Sequence, residues 1–141
     1  MKRKIVVIDS SVAIKWINRQ NELLIEQANK ILQEVQFEKT EIAAPELSKY
    51  EIGNAMLRKK ITLLEAKVAL EKLYDIPIRF ISLDLELATR SLEIASENKI
   101  TYYDASFLAL AEKLKAVLVT DNPKHQKIPG KKIKVVALKD Y

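Results

Sequence analysis

The stretch Ile5-Val6-Val7-Ile8-Asp9-Ser10-Ser11 places four apolar residues directly before an aspartate and two serines. A continuous apolar run of this length is typical of a strand that is covered on both faces, as in a parallel sheet. A second such run, Val117-Leu118-Val119, ends in Thr120-Asp121-Asn122. Because open α/β sheets place their sites at the carboxyl edge of the strands, we expect Asp9 and Asp121 to face one cleft.

The rest of the chain alternates strands with helices. Apolar residues recur at helical spacing over residues 21–37, 45–60, 62–74, 84–98 and 103–115. Short β-rich runs lie at residues 5–8, 41–43, 78–81, 117–119 and 133–138. This order predicts an α/β fold with a central, mostly parallel five-stranded sheet and helices on both of its faces.

Composition limits the chemistry of the chain. Its 141 residues suffice for one domain with a proper core, and we expect residues 1–141 to form a single domain. The absence of cysteine and the single His125 exclude disulfides, zinc-thiolate sites and imidazole metal cages. Two glycines, Gly53 and Gly130, cannot build a glycine-rich phosphate loop. The remaining metal ligands are therefore oxygen atoms.

The net charge of +5 modestly favours an anionic partner such as nucleic acid. The most basic stretch is 122–134, which is either a solvated surface loop, the simpler interpretation, or a segment that follows a phosphate backbone. No apolar run approaches the ~20 residues of a membrane span. We therefore expect a cytoplasmic protein with no membrane partner.

Two further acids stand at informative places. Asp104 begins a predicted helix whose following apolar residues have core-facing spacing. Glu51 lies inside the predicted helix 45–60, in a densely apolar stretch. Each acid also has a simpler interpretation: Asp9 and Asp104 as helix caps, Asp121 as a turn residue, and Glu51 as a surface partner of Arg58.

The acids together predict a metal site. Asp9 and Asp121 leave the sheet at one edge, and Asp104 begins a helix packed just before the strand 117–119. Three or four close carboxylates cannot all ionise without a cation, and oxygen ligands with neither histidine nor cysteine select Mg²⁺ or Mn²⁺. Such an ion polarises a phosphodiester and lowers the pKa of a bound water, which is the chemistry of a metal-dependent nuclease.

Several short motifs, in this order and over nearly the whole chain, resemble those of PIN-domain ribonucleases of the VapC toxin type. They are Val7-Ile8-Asp9-Ser10-Ser11, Ala44-Pro45-Glu46-Leu47 followed by Tyr50-Glu51-Ile52-Gly53-Asn54-Ala55, Tyr102-Tyr103-Asp104-Ala105-Ser106, and Leu118-Val119-Thr120-Asp121-Asn122. The resemblance implies a PIN-like three-layer fold with an acidic Mg²⁺ or Mn²⁺ pocket at the carboxyl edge of the sheet.

The resemblance also implies roles for individual residues. Asp9, Glu51 and Asp104 match the three main acidic positions of the family. Ser10 matches the small hydroxyl residue that follows the first acid, and Thr120 matches the hydroxyl of the last motif. On this basis Asp9 and Asp104 are expected to hold the metal directly, whereas Glu51 binds it through water or orients the attacking water.

The last motif leaves a choice open. The family usually has Thr, any residue, and then Asp or Asn, so Asn122 stands at the expected position and Asp121 at the variable one. Either Asp121 turns in as a fourth acid, with the same role as Glu51, or Asn122 supplies a neutral oxygen.

Proteins of this type usually act as the toxin of a toxin–antitoxin pair. They cleave RNA until a small cognate antitoxin blocks the pocket, and they commonly form homodimers. The resemblance therefore implies an endoribonuclease with an RNA substrate, an antitoxin partner and a homodimeric state. The apolar residues of the helices over 47–73 suit a dimer or antitoxin groove, or simply the core.

Two other functions stay open at this point. A catalytically silent member of the same fold would bind RNA or protein without cleaving either. A phosphoacceptor receiver domain is also α/β, but it needs a paired acid early in the chain, where Ser10 and Ser11 follow Asp9 instead. We rank the endoribonuclease first.

Overall fold

A computed structural model describes residues 2–123 and 133–141. Within these ranges the strands are β1 (Lys4–Ile8), β2 (Thr40–Pro45), β3 (Ile78–Ile81), β4 (Val117–Thr120) and β5 (Val135–Ala137). The α-helices are α1 (Ser10–Ile17), α2 (Ile25–Gln36), α3 (Leu47–Arg58), α4 (Leu63–Asp75), α5 (Leu85–Asn98) and α6 (Tyr102–Leu114). Most of the basic segment predicted at 122–134 lies outside the described residues. In the part of the chain that is described, no helix combines the length and the apolar character that a membrane crossing requires.

All strand pairs are parallel, and the strand order is β3-β2-β1-β4-β5. The chain moves outward from β1 to β2 and β3 and then crosses back to β4, so the order reverses between β1 and β4. Crevices of open α/β sheets lie at such a reversal. The Asp9 amide donates to the Val119 carbonyl over 3.0 Å and joins the two strand ends there. This order differs from the 2-1-3-4-5 order of receiver domains, so that alternative is wrong.

Helices cover both faces of the sheet. Val6 and Ile8 of β1 pack into a core with residues of α1 to α4, whereas Val7 packs into a second core with α5 and α6. These three side chains are at most 1% exposed. Burying such a side chain contributes roughly 1.5–3 kcal/mol, which explains why the strand is apolar at successive positions. The predicted three-layer α/β fold is confirmed, and the sheet is entirely parallel.

The structure corrects three details of the sequence-based assignment. Helix α1 was not predicted, because its eight residues are fewer than the window of about 11–18 residues over which a helical period is recognised. Pro45 ends β2 beside Ile81 instead of beginning α3, since a strand end does not require the N–H that proline lacks. The last strand is shorter than 133–138 because Leu138 begins a turn of 3-10 helix, Leu138–Asp140.

Candidate metal centre

A pocket of about 300 Å³ opens beside the carboxyl end of β1. We call it the carboxylate pocket, and it is formed by the start of α1, the middle and end of α3, the first turn of α6 and the residues after β4. It is lined by Asp9, Ser10, Ser11, Ile14, Glu51, Ala55, Arg58, Asp104 and Asn122. The fold thus brings together three acids that are far apart in the chain.

Asp9 is held by hydroxyl groups from two elements. It occupies the N-cap position of α1, but its side chain makes no capping hydrogen bond. Its Oδ2 instead accepts from Thr120 Oγ1 at 2.7 Å and from Ser11 Oγ at 3.2 Å. Burial raises the pKa of the Asp9 carboxyl, and the negative charge of Asp104 raises it further. The hydrogen bonds that Asp9 accepts lower the pKa but do not cancel the rise. The anion is therefore oriented but short of positive charge.

Glu51 faces the pocket from the middle of α3. Its Oε1 accepts from Ser10 Oγ at 2.7 Å, so the partner of this carboxylate is Ser10 and not Arg58. Burial raises the pKa of Glu51, the Ser10 hydrogen bond opposes the rise, and the charges of Asp9 and Asp104 increase it. Two of the three acids in the pocket are thus harder to ionise than free carboxyl groups, which is expected where carboxylates share a site.

Asp104 is the third residue of α6 and does not cap the helix. Thr101 does so, since its Oγ1 accepts from the Asp104 amide at 3.0 Å. Among residues 2–123 and 133–141, the Asp104 carboxylate has neither a hydrogen bond nor an ion pair. It lines the carboxylate pocket with its oxygens available to a cation.

The residues after β4 separate the two candidates for the fourth position. Asn122 lines the carboxylate pocket, and its backbone N–H donates to Thr120 Oγ1 at 3.0 Å. Asp121 is not part of the lining, and its Oδ2 lies 3.0 Å from the Nζ of Lys15. The structure therefore groups Asn122, and not Asp121, with the three acids.

Lys15 is an important residue that the sequence reasoning missed. Its side chain is 2% exposed and contacts both Asp121 and Glu22, the latter at 3.1 Å. Glu22 in turn lies 3.0 Å from Lys59, which follows α3. A lone lysine in the apolar helix Ser10–Ile17 was the available signal, because lysine is almost never fully buried without a partner.

The donors in the pocket fit a hard divalent cation. They are three carboxylates and one amide, and the pKa values of Asp9 and Glu51 are raised where positive charge is missing. Among residues 2–123 and 133–141, no group of three or more His, Cys, Asp or Glu side chains is arranged so that it could hold a metal ion. Mg²⁺ usually keeps several waters and binds through one or two carboxylates, so its binding does not require a cage of three acidic side chains.

Comparison with known families agrees with this geometry. A family model described as the PIN domain matches residues 6–131, a range that contains all of the pocket residues. This chain belongs to the PIN-domain family. A comparison of this PIN domain with curated proteins found no match.

Solved structures share the fold of this PIN domain at low sequence identity. The VapBC complex of Rickettsia felis, bound to a promoter DNA fragment, has a TM-score of 0.72 and 17% identity over 94% of this chain and 98% of that one. A toxin–antitoxin complex from Klebsiella pneumoniae has a TM-score of 0.66 and 20% identity over 94% and 97%. A VapC toxin of Mycobacterium tuberculosis that cleaves the sarcin-ricin loop has a TM-score of 0.62 and 13% identity over 82% and 87%.

Proposed function

We propose that this PIN domain is a Mg²⁺- or Mn²⁺-dependent endoribonuclease. The observation that carries the proposal is the carboxylate pocket, in which Asp9, Glu51 and Asp104 line one cavity together with Asn122. The net charge of +5 suits a polyanionic substrate. The absence of cysteine and the single histidine leave oxygen chemistry as the means of hydrolysis.

Each pocket residue has a distinct part in this proposal. Asp9 and Asp104 hold the ion, which when bound supplies Lewis-acid polarisation of the phosphodiester and a lowered pKa of water. Glu51, oriented by the Ser10 hydroxyl, positions the attacking water and accepts its proton. The water oxygen bonds to phosphorus, the bond from phosphorus to a ribose oxygen breaks, and that ribose oxygen takes up a proton.

Asn122 is the fourth member of the site in this proposal. It is the residue of the pair that lines the pocket, whereas Lys15 holds the Asp121 carboxylate elsewhere. Asn122 supplies a neutral oxygen, directly or through water, and Thr120 orients Asp9. The site then has three negative charges, which is consistent with one divalent ion.

Cleavage of RNA by purified protein tests the proposal. With Mg²⁺ or Mn²⁺ the wild type should cut a hairpin RNA within its chain, and EDTA should stop the reaction. Asp9→Asn and Asp104→Asn should each abolish cleavage. Each variant should still show the cooperative thermal unfolding of a folded protein. Asp75→Asn is the matched control, because Asp75 is an exposed acid at the end of α4, outside the pocket. Full activity of both pocket variants, or cleavage of DNA only, would overturn the assignment.

We further propose that the chain is the toxin of a toxin–antitoxin pair, is homodimeric, and acts on RNA in the cytoplasm. The similar structures include toxin–antitoxin complexes, although at identities that establish only the fold. Leu57, Leu63, Leu64 and Val68 of α3 and α4 are exposed and suit a partner helix. Co-expression with the product of an adjacent short reading frame should give a stable complex without RNA cleavage. A monomer that no such product binds would contradict this part.

A second candidate is a catalytically silent module that binds RNA or protein. It is favoured by the absence, within the residues described, of three acidic side chains that already enclose an ion. The two candidates differ in metal dependence alone. RNA binding that is indifferent to Mn²⁺, with no cleavage, would favour the silent module.

A further inference from the structure

Arg58 brings a positive charge to the mouth of the carboxylate pocket. It lies in the last turn of α3, seven residues after Glu51, and helical spacing places Glu51, Ala55 and Arg58 on one face of the helix. All three line the pocket. Burial raises the pKa of Glu51 and the Arg58 charge counteracts it, so the guanidinium is within electrostatic reach of the acids.

The Arg58 side chain is exposed and has no partner of its own. Among residues 2–123 and 133–141, it forms neither an ion pair nor a hydrogen bond, although acids line the same pocket. Arginines with structural roles, such as Arg90, show the opposite behaviour: Arg90 bonds both oxygens of Glu112. The donors of Arg58 are therefore available to a ligand.

The charge of the pocket indicates which ligand this is. With all three carboxylates ionised, one bound divalent ion would leave one negative charge, and this charge would repel a phosphodiester. The Arg58 charge cancels it. A guanidinium also remains charged at any working pH and presents two parallel N–H groups that match two oxygens of a phosphate.

We propose that Arg58 is a substrate-binding residue that holds the two non-bridging oxygens of an RNA phosphate at the mouth of the carboxylate pocket. This role rests on the proposed function and adds a residue to it. It explains how an acidic pocket accepts a polyanion. It also separates the residues that hold the metal from one that holds the substrate.

Binding measurements with a fluorescein-labelled hairpin RNA test this role. They are made by fluorescence anisotropy in an Asp104→Asn background, in which no cleavage is expected. Arg58→Gln should weaken binding about tenfold, as expected for the loss of a charged hydrogen-bonded contact. The slope of log affinity against log salt should fall by about 0.7, the value for one phosphate contact on a single strand. Arg58→Lys should restore the slope and only part of the affinity.

Two controls separate this role from others. Arg79→Gln removes another exposed guanidinium, on β3 and outside the pocket lining, and should leave the affinity and the salt slope unchanged. Arg58→Gln in the otherwise wild-type chain should bind Mn²⁺ in calorimetry at least as tightly as the wild type, because a cation has been removed from the pocket. A weaker Mn²⁺ affinity would contradict a substrate role.

The outcomes also distinguish this inference from the proposed function. If the wild type cleaves the hairpin but Arg58→Gln keeps the parent's RNA affinity and salt slope, only the Arg58 role is overturned. A slope that Arg58→Lys does not restore overturns it as well. If the wild type neither cleaves nor binds the RNA, the proposed function fails and the Arg58 role with it.

Discussion

The Thr120 hydroxyl donates to Asp9 Oδ2 over 2.7 Å, although the two residues are 111 positions apart in the chain. The parallel pairing of β1 with β4 brings them together at the point where the strand order reverses. Thr120 is fully buried, so its hydroxyl has few alternative partners. The fold itself therefore orients the first acid of the pocket.

Thr120→Val should destabilise the protein by about 1–2 kcal/mol, because it keeps the branched shape and removes a hydrogen bond to a charged group. Thermal melting of the metal-free protein measures the loss. Thr120→Ser keeps the hydroxyl and should lie closer to the wild type. If Thr120→Val has the same melting temperature as the wild type, the hydrogen bond contributes nothing to stability.

Lys15→Met should destabilise the protein by about 2 kcal/mol, since it removes the buried ion-pair partner of Asp121 and leaves Glu22 with Lys59 alone. We place the value below the usual range for buried pairs because the Asp121 side chain is 32% exposed. Urea unfolding measures it. Lys67→Met, on the exposed side of α4, is the control and should change stability by no more than about 0.5 kcal/mol. Equal midpoints for the two variants would show that the Lys15 ion pairs are not stabilising.

Glu51→Gln should make the metal-free protein more stable at neutral pH. Burial raises the pKa of Glu51 above its ordinary value of 4.5, so the folded state holds the proton more tightly than the unfolded chain. Ionisation of Glu51 therefore lowers stability as the pH rises from 4.5 through the raised pKa, and glutamine removes this loss.

The melting temperature against pH checks this effect. The variant should melt a few degrees above the wild type at neutral pH, and the two curves should meet at acidic pH. Glu71→Gln changes an exposed residue of α4 and should have the melting temperature of the wild type at every pH. A wild type that is the more stable protein at neutral pH would contradict the raised pKa.

Asn122→Ala should lower the rate of RNA cleavage about tenfold, the lower end of the range for a residue that supports a metal site. Asp121→Asn should stay within a few-fold of the wild type, because asparagine still bonds Lys15 and Asp121 does not line the pocket. Single-turnover cleavage compares the two variants. If Asp121→Asn cleaved RNA more slowly than Asn122→Ala, Asp121 and not Asn122 would be the fourth residue of the site.

The two strands that carry the site could be predicted because burial on both faces leaves a simple mark in the sequence. Residues 5–8 and 117–119 are apolar without interruption, and each ends in the polar residues that reach the sheet edge. Helix α1 could not be predicted in the same way, since its eight residues make only about two turns, too few to establish a period of 3.6 residues. Pro45 shows that strand pairing can decide against a local preference for the first turn of a helix.

Within the pocket, the sequence indicated which acids to consider but not how they are arranged. Its motifs could not choose between Asp121 and Asn122, because the choice depends on Lys15, which comes from a helix more than a hundred residues earlier. Helical spacing left open a surface pair of Glu51 with Arg58 as the simpler interpretation, whereas the structure pairs Glu51 with Ser10. Such contacts follow from tertiary packing, which local spacing does not record.

Titration of the metal-free protein with Mn²⁺ in a calorimeter shows whether the carboxylates of the pocket bind a divalent ion. The wild type should bind Mn²⁺ at one site, and the affinity should fall as the pH is lowered, since protons compete with the ion for carboxylates whose pKa values are raised. Asp104→Asn should bind it at least tenfold more weakly, as expected for the loss of a carboxylate ligand. Equal binding by the two proteins, or no binding by the wild type, would contradict a divalent-ion site in the carboxylate pocket.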